Sequence, residues 1–481
     1  MKKMKTATPY ILAALICLFI SFPAVSNSIV LDEAYTLWLI RGNVPDIVHG
    51  AASDVHPPLY YLLLKLFQIF GSESLFKYRI ATALGTYLNL LLIGATLIRR
   101  QWGCRVSILY ILWFGLTYGT LEKSTFIRMY SWGAFFVTAA AVLLFSYYKN
   151  NKKADFILGI ITTVAAMYTH YYAVITMFFI WLFFMLAAFL KKRDKIKHIF
   201  LGGFAVIIGY LPWLGTLASQ SRRVAENYWM TGFDWNEWRM VPAALMETTE
   251  GSYNGIGMVL YTFLMILLVL AFARKKWDAV LCVSAFVCTM VMGALLSVLV
   301  TPIWATRYMY LDWGLMSLFA AIVAGEVTSV YAKITQGMLI IILTITGWVS
   351  LRTMLNDETM NNTADEWIAF LEENVEEDAC IIVDDPAEHK AVYDFYLPHV
   401  NSVYTENLLG RNIEKELADF LGQSAGRQIW YIIDYRQQKI GADEIRGCLE
   451  RLRYSLEPAG YYRIEQKELE IFRVEEMQYE E

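Results

Sequence analysis

The sequence predicts a polytopic helical membrane protein that ends in a small water-soluble α/β domain. Of its 481 residues, 57% are hydrophobic and only 18% are charged, whereas soluble domains are nearer half apolar and a quarter charged. Apolar runs of membrane-spanning length recur up to about residue 353 and then stop. The charges divide at the same place, with 29 basic and 16 acidic residues before it and 12 basic and 29 acidic residues after it.

About eleven apolar segments approach the length that crosses a ~30 Å hydrocarbon core, which takes roughly 20 helical residues. The first follows a basic start and has the features of a signal peptide, but we favour a retained helix. The pair 155–169 and 171–190 decides the topology. These two short helices must turn at 169–172, and merging them into one span would reverse the predicted orientation of every later segment. The predicted spans are 10–25, 78–98, 106–121, 129–148, 155–169, 171–190, 199–217, 256–273, 279–299, 307–325 and 335–353.

The distribution of Lys and Arg predicts the orientation, because these residues are retained on the cytoplasmic side of short loops. With a cytoplasmic N-terminus, the inner segments hold 18 basic residues and the much longer outer segments up to residue 353 hold 11. We therefore expect a multi-pass plasma-membrane protein with a membrane domain over 1–353 and large outer loops at 27–77 and 218–255. An extracytoplasmic domain follows over 354–481.

The tail alternates helix-like and strand-like patterns, which indicates a small α/β domain. Helical periodicity covers 363–374, 409–421 and 442–453, and strand patterns cover 380–383, 429–433 and 468–474. The tail has no Gly-rich phosphate loop. Its two cysteines, Cys380 and Cys448, are placed on the outer side, where they could pair or stay free thiols.

The first outer loop, 27–77, carries the densest group of polar residues. Asp32 and Glu33 come directly after the first span, and Asp54 and His56 come before two prolines. Ionisable residues at the ends of spans are candidates for a functional site, because exposing them to lipid is costly.

The segment 59–70, which follows the prolines, is apolar except at Lys65 and Gln68. It is too short to cross a membrane. We therefore expect an interfacial helix along the outer leaflet, with Pro58 in its first turn.

Further polar residues are predicted to lie on the same outer side. They are Glu122 and Lys123, Arg128, His170 among three tyrosines, Arg222 and Arg223, and Arg307 with Tyr308. Each has a structural interpretation beside a functional one. Asp32 and Glu33 would cap a loop, His56 would bond to the backbone of a turn, Arg128 and Arg307 would anchor to lipid headgroups, and His170 and the Trp-rich stretch 228–238 would pack at the interface.

The arrangement of these residues resembles the family 39 type of GT-C glycosyltransferases, the relatives of protein O-mannosyltransferases and lipid A aminoarabinose transferases. The main similarity is Asp32-Glu33 after the first span, followed by the sequence DVHPPLYY over 54–61 before a surface helix. Weaker similarities are FIRMY at 126–130, YTHY at 168–171, LPW at 211–213 and Arg307-Tyr308. The resemblance covers about residues 1–350.

The resemblance implies a GT-C fold and a transferase that moves a hexosyl or pentosyl group from a polyprenyl-phosphate carrier to an extracytoplasmic protein, glycan or lipid. Asp32 matches the family's acidic position, so it is the expected base that takes the proton from the attacking group. Glu33 would orient the acceptor or hold the loop. The leaving phosphate needs fixed positive groups or hydrogen-bond donors. His56, Arg128 and Arg307 are the candidates for this role, with Asp54, Tyr61, His170 and Tyr308 as accessory residues.

Two residues leave alternatives open. His56 stands where the lipid A type relatives carry a lysine, and a neutral imidazole would donate only a hydrogen bond. Asp54 would be a second acidic group, a salt-bridge partner or a ligand of a divalent cation. No cofactor is required by the sequence.

The main alternative function is a transporter or flippase of lipid-linked sugars. Transporters tend to carry polar residues near mid-depth in broken helices, whereas here the middle of the spans is almost entirely apolar. A sensor or scaffold that binds a partner through its acidic tail would not need the Asp32, His56 and Arg307 group. The pattern therefore favours an enzyme that acts on a lipid-linked sugar at the bilayer, and nothing in it suggests a nucleic-acid partner.

Overall fold

The chain divides into two compact units in a computed structural model that describes residues 2–26, 28–71, 74–226, 233–246, 255–325, 330–356, 364–464 and 467–477. The first, here called the membrane unit, comprises Met1–Val25 and Gly42–Met354. The second, here called the C-terminal unit, comprises Ser26–Arg41 and Leu355–Glu481. The segment Ser26–Arg41, predicted as part of the outer loop 27–77, thus groups with the tail.

Helices form nearly all of the described chain up to residue 356. In chain order they are α1 (Lys2–Phe19), α2 (Leu31–Arg41), α3 (Val44–Ser53), α4 (Leu59–Leu66), α5 (Leu75–Leu88), α6 (Arg99–Trp102), α7 (Cys104–Gly115), α8 (Tyr118–Thr125), α9 (Tyr130–Asn150), α10 (Lys153–Met167), α11 (Tyr171–Lys191), α12 (Ile196–Glu226), α13 (Trp235–Ala244), α14 (Gly255–Ala273), α15 (Trp277–Leu299), α16 (Trp313–Gly325) and α17 (Val330–Asn356). A π-helix, Asn89–Ile98, joins α5 to α6, and a 3-10 turn, Thr306–Asp312, precedes α16.

Eight helices within the described residues are long and apolar enough to cross a membrane, or nine if the bent pair α7 and α8 counts as one span. The prediction of a polytopic helical membrane protein is confirmed, but its count of eleven is higher. Each of the eleven predicted segments overlaps one or two of the observed helices. However, α10 has only 15 residues, the apolar part of α14, Gly257–Ala273, is also short, and the α7–α8 pair bends by 68°.

The predicted interfacial helix is α4, which continues as a short 3-10 turn, Phe67–Ile69. The segment 218–255, predicted as an outer loop, contains the end of α12 and all of α13. Residues 227–232 and 247–254, including the start of the Trp-rich stretch, lie outside the described residues. The uncertain pair 155–190 is two helices, α10 and α11, as predicted.

The bend between α7 and α8 places a polar helix inside the bundle. The backbone of Thr117 is extended at the break, and its hydroxyl accepts a hydrogen bond from Trp313 Nε1 at 2.8 Å. The eight residues of α8 follow, and both Lys123 and Ser124 are buried. A bundle interior or a water-filled cavity is the usual setting for polar side chains within a membrane protein.

A close glycine contact holds α5 against α9. A Cβ atom added at Gly85 would lie 2.6 Å from the backbone carbon of Ser131 and from the nitrogen of Trp132. Small residues let membrane helices approach this closely. The Trp132 indole also donates to the carbonyl oxygen of Ala81 at 3.1 Å, so α5 and the start of α9 form one rigid pair.

The C-terminal unit is a five-stranded sheet in the order β2-β1-β3-β5-β4, with helices on both faces. Strand β1 is parallel to β2 and β3, whereas β5 is antiparallel to β3 and β4. The predicted α/β domain is confirmed. Its elements are α18 (Ala364–Asn374), β1 (Cys380–Asp384), α19 (Lys390–Tyr396), β2 (Asn401–Tyr404), α20 (Ile413–Gln423), β3 (Ile429–Asp434), α21 (Ala442–Arg451), β4 (Tyr454–Ile464) and β5 (Lys467–Glu476).

The carboxyl ends of β1 and β3 are occupied by a buried side chain of the protein itself. Open α/β sheets bind ligands at such a point, where the strand order reverses. Here the carboxylate of Asp384 accepts from the backbone N–H groups of Lys439 at 2.8 Å, Ile440 at 3.1 Å and Gly441 at 2.7 Å. These groups lead into α21, where an anion would otherwise be favoured. The position is therefore a structural anchor.

The Gly85 contact predicts a stability difference between two glycine substitutions. Gly85→Ala forces a methyl group against the backbone of α9, so we expect a loss of about 1–3 kcal/mol. Gly215→Ala on α12 is the matched control, because no atom of the described residues lies within 4 Å of its added Cβ. The apparent Tm of the detergent-purified protein should fall for Gly85→Ala and hold for Gly215→Ala. Equal Tm values would contradict the close packing of α5 on α9.

Candidate active site

The end of α3 positions Asp54 and His56. A capping box between Asn43 and Asp46 begins the helix, and the N–H of Asp54 bonds back to the carbonyl oxygen of Gly50 at 2.9 Å where the helix ends. Two residues later, Nδ1 of His56 lies 3.2 Å from Oδ2 of Asp54. The Tyr61 hydroxyl on α4 donates to the same carboxylate oxygen at 3.5 Å. The sequence DVHPPLYY thus folds into one local hydrogen-bonded group.

Side chains of helix α12 hold this loop by donating hydrogen bonds to the loop's backbone carbonyl oxygens. The buried amide of Gln220 donates to the carbonyl oxygens of Ala51 at 2.9 Å and Asp54 at 2.7 Å. Its own oxygen accepts from the Tyr171 hydroxyl. Arg223, predicted among the basic residues of the outer face, donates to the carbonyl oxygen of Ala52 at 2.6 Å. Arg223 therefore binds the loop backbone.

The carboxylate of Asp54 is kept ionised by its neighbours. Burial would raise its pKa, but the hydrogen bond from His56 and the positive charges of His56 and Arg128 outweigh that effect and lower the pKa to about 2. Asp54 is therefore an anion at any physiological pH. Its charge and its hydrogen bond orient the His56 ring.

Arg128 approaches the same ring from the turn before α9. Its Nη2 lies 3.3 Å from Nδ1 of His56, and both side chains are buried. The turn is tight, with the N–H of Arg128 2.6 Å from the carbonyl oxygen of Phe126. A single nitrogen cannot donate to Asp54 and accept from Arg128 at once. The His56 proton therefore decides which of the two partners Nδ1 bonds.

His170 lies at the centre of the group, at the turn between α10 and α11. Its Nδ1 accepts the N–H of Tyr172 at 3.1 Å and thereby caps α11. The ring lies 5.5 Å from that of His56 and 4.8 Å from that of Tyr308, between centroids. The N–H of Leu59 on α4 bonds to the carbonyl oxygen of Tyr168 at 3.0 Å, which ties the first loop to this turn.

His170 is a neutral hydrogen-bond donor. Burial lowers its pKa well below 6.5, and the positive charges of His56, Arg128 and Arg307 lower it further. Because Nδ1 accepts a hydrogen bond, the proton of the neutral ring is on Nε2. That Nε2 is buried and has no hydrogen-bond partner within the described parts of the chain. A buried donor of this kind is costly to leave unsatisfied, so it favours an acceptor that is not part of the protein.

Arg307 and Tyr308 lie on the 3-10 turn that precedes α16. The guanidinium carbon of Arg307 is 5.8 Å from the centroid of the Tyr308 ring, and that ring packs on His170. Four residues further on, the carboxyl group of Asp312 accepts from the Thr176 hydroxyl at 2.8 and 2.9 Å. Thr289 donates to Thr176 at 3.1 Å. Asp312 thus joins α11, α15 and the turn that carries Arg307.

The fold is similar over almost the whole chain to solved structures of ArnT from Cupriavidus metallidurans. The apo structure aligns with a TM-score of 0.65 and 9% identity, covering 96% of this chain and 97% of ArnT. The structure of ArnT bound to undecaprenyl phosphate aligns with a TM-score of 0.65 and 10% identity, covering 97% and 98%. The chain adopts the GT-C fold. At this identity the likeness establishes the fold, and it confirms the fold expected from the DVHPPLYY resemblance.

No protein-family model and no curated protein matches the sequence. The similarity to the GT-C fold is thus established by the comparison of structures.

The sequence-predicted site residues fall into two groups in this GT-C fold. His56, Arg128, His170, Arg307 and Tyr308 come together in the membrane unit, with Asp54 and Tyr61 around His56. We call the set His56, Arg128, His170 and Arg307 the cationic cluster. The other group is Asp32 and Glu33, which belong to the C-terminal unit.

Asp32 and Glu33 lie in the first turn of α2. Glu33 is 3% exposed, and its carboxylate accepts from the N–H of Val30 at 3.5 Å. The carbonyl oxygen of Asp32 accepts from the Thr36 hydroxyl at 2.9 Å. Asp32 is half-buried. Acidic residues are favoured at the N-terminus of a helix, and both carboxylates lie there in α2.

Two residues near the cationic cluster were not assigned to a site from the sequence. Gln220 holds the first loop, but its position on α12 resembles any polar residue on a helix. Lys123 is buried, forms an ion pair with Glu122 and lies 5.9 Å from the centroid of the Tyr130 ring. The sequence signal for Lys123 was its position next to Glu122 in an otherwise apolar segment. The burial of the Lys123 side chain could not be read from the sequence.

No group of three or more His, Cys, Asp or Glu side chains within the described ranges is arranged to hold a metal ion. Asp54, considered as a cation ligand, bonds to His56 and Tyr61.

The low pKa of His170 predicts a pH-dependent stability. The unfolded chain gains a proton at His170 as the pH falls below about 6.5, whereas the folded chain does not, so stability is full above that pH and is lost below it by up to about 1.4 kcal/mol per pH unit. His170→Asn keeps an oxygen that can cap α11 and removes the titrating ring. Its apparent Tm should therefore fall less than that of the parent protein between pH 6.5 and 5.

The exposed His198 supplies the control, because His198→Asn should retain the pH slope of the parent protein. An unchanged slope in His170→Asn would contradict a buried neutral ring at the turn between α10 and α11.

Proposed function

We propose that the chain is a membrane glycosyltransferase that moves a hexosyl or pentosyl group from a polyprenyl-phosphate carrier to an extracytoplasmic acceptor. The observation that carries this proposal is the cationic cluster, which gathers two guanidinium groups, His56 and a neutral imidazole donor in a GT-C fold. The structure of ArnT bound to undecaprenyl phosphate supports the carrier class, because the fold of that protein is shared over almost the whole chain. The acceptor would be a protein side chain, an envelope glycan or a lipid.

The phosphate of the carrier would be bound by the cationic cluster. Arginine presents planar donors that match phosphate oxygens, and Arg128 and Arg307 supply two such groups. The Nε2–H of His170 would add a neutral donor, and His56 would add a third cation when protonated. Fixed donors in a site of low dielectric stabilise charge that develops in the transition state. They would act most strongly as the sugar leaves and the phosphate gains negative charge.

Asp32 would be the general base of the transfer. The acceptor oxygen or nitrogen bonds to the anomeric carbon while the bond from that carbon to the phosphate oxygen breaks, and the electron pair stays on the polyprenyl phosphate. The proton of the acceptor passes to the Asp32 carboxylate. The support is its match to the acidic position of the family, together with its place in the first turn of α2. Glu33 would orient the acceptor or hold this turn.

The other site residues would position the donors. Asp54 would orient His56 through their hydrogen bond, and Tyr61 would hold Asp54. The ring of Tyr308 would keep the guanidinium group of Arg307 in place through their contact. We further propose a cytoplasmic N-terminus and an extracytoplasmic C-terminal unit, because basic residues are concentrated in the loops that this orientation places inside.

Asp312 favours a second candidate function, a transporter or flippase of lipid-linked sugars. It is an acidic residue buried among α11, α15 and the turn before α16, and such residues mark transport pathways in many membrane proteins. A protein of that kind would move the lipid-linked sugar across the bilayer without breaking its bond to the carrier, so it would form no transfer product.

Asp32→Asn should abolish transfer, because loss of a general base costs typically 10²–10⁴-fold in rate. Transfer of labelled sugar from the polyprenyl-phosphate pool of host membranes to envelope material measures the rate, and binding of undecaprenyl phosphate should not change. Asp443→Asn is the matched control, since Asp443 also lies in the first turn of a helix of the C-terminal unit. Full transfer by Asp32→Asn would remove the proposed base.

Arg128→Ala and Arg307→Ala should weaken the binding of undecaprenyl phosphate by roughly ten- to a hundredfold, since a hydrogen bond to a charged group contributes about 1.5–3 kcal/mol. The Lys variants should recover part of the affinity, because they keep the charge and lose the planar fork. Arg274→Ala, at an exposed position after α14, is the control. Unchanged affinity in both Ala variants would exclude the cationic cluster as the phosphate site.

A further inference from the structure

The C-terminal unit includes a helix from the beginning of the chain. Helix α2 lies between the first span and α3 in sequence, yet Ser26–Arg41 groups with Leu355–Glu481. α2 packs against α19, and the guanidinium of Arg41 donates to the carbonyl oxygen of Asp394 at 3.4 Å. An isolated helix of eleven residues is unstable in water. Its position therefore depends on what it packs against.

The partner helix α19 is itself anchored to the sheet. Asp385 directly follows β1 and is fully buried. It accepts a hydrogen bond from the Tyr393 hydroxyl at 2.8 Å and forms an ion pair with Lys467 of β5. The same lysine lies 3.3 Å from Asp434 at the end of β3. Residues at the ends of three strands thus hold α19 at Tyr393 through one buried group of charges.

The two sets of contacts form a chain from the sheet to the proposed base. Asp385 and Lys467 hold α19 through Tyr393, and α19 holds α2 at Arg41. Asp32 and Glu33 occupy the first turn of that same helix. The segment is also joined covalently at both ends to the membrane unit, at Val25 and Gly42. The position of α2 therefore depends on its contacts within the C-terminal unit as well as on these two covalent connections.

We propose that the C-terminal unit is a positioning element for the catalytic helix: α19 holds α2, and thereby sets the placement of Asp32 for proton transfer. This inference rests on the proposed function for the role of Asp32, but the packing of α2 on α19 does not. Arg41 and Tyr393 are positioning residues in this account, and neither contacts the reacting groups. The C-terminal unit would then serve catalysis by positioning α2. This role agrees with the carboxyl ends of β1 and β3, where the side chain of Asp384 occupies the place at which open α/β sheets bind ligands.

Hydrogen exchange of the full-length protein in nanodiscs tests the holding of α2. Arg41→Ala removes the bond to α19, and Tyr393→Phe weakens the anchor of α19 without altering α2. Loss of one such hydrogen bond corresponds to roughly two- to tenfold in a local opening equilibrium. We therefore expect exchange in the 31–41 peptide to accelerate by about threefold or more in both variants. Arg41→Lys should restore much of the protection.

Arg411→Ala is the matched control, because this exposed arginine of the same unit pairs with Glu416 of α20. It should leave exchange in 31–41 unchanged. Unchanged exchange in both Arg41→Ala and Tyr393→Phe would overturn the holding of α2 by α19.

Transfer kinetics test the positioning of Asp32. In Arg41→Ala and Tyr393→Phe, kcat should fall by about threefold or more, while the KM for the polyprenyl-phosphate sugar and the affinity for undecaprenyl phosphate should hold. Faster exchange with unchanged kcat would overturn the positioning role. If Asp32→Asn proved fully active, the proposed function would fail, and the exchange result would still decide whether α19 holds α2.

Discussion

The concentration of positive charge around His170 is the constraint on which the arrangement of the membrane unit depends. Arg128, Arg307 and His56 all act on this ring, and together with burial they keep it neutral. Like charges in a buried site repel one another, so they stay together only where the surrounding structure holds them. An anionic group between them would relieve that repulsion, which is the electrostatic arrangement expected for a phosphate site.

Separate supports hold the three residues of the cationic cluster that surround His170. Asp54 orients His56, and Gln220 fixes the backbone of that loop. The tight turn before α9 carries Arg128, and Gly85 lets α5 pack closely beside it. The buried Asp312 network holds the turn of Arg307. Donors fixed in this way do not need to reorganise when charge develops on the substrate, so in the proposed transfer the scaffold itself would contribute to catalysis.

Sequence reasoning was sufficient where local chemistry decides the structure. The helix pair 155–190 was predicted as two helices, and the turn between them is stabilised by His170, which caps α11. The elements α18, β1, α20, β3 and α21 follow from their hydrophobic periodicity. Strand β2 was not predicted, because it is a four-residue edge strand without clear alternation. The grouping of α2 with the tail depends on a contact between residues 353 positions apart, and no local pattern encodes such a contact.

A cryo-EM structure of the protein with undecaprenyl phosphate tests the central claim most directly, because it locates the phosphate itself. The account predicts phosphate density within hydrogen-bond distance of the Arg128 and Arg307 guanidinium groups and of Nε2 of His170. Phosphate density bound elsewhere in the membrane unit, with these three side chains unchanged and out of reach, would contradict it.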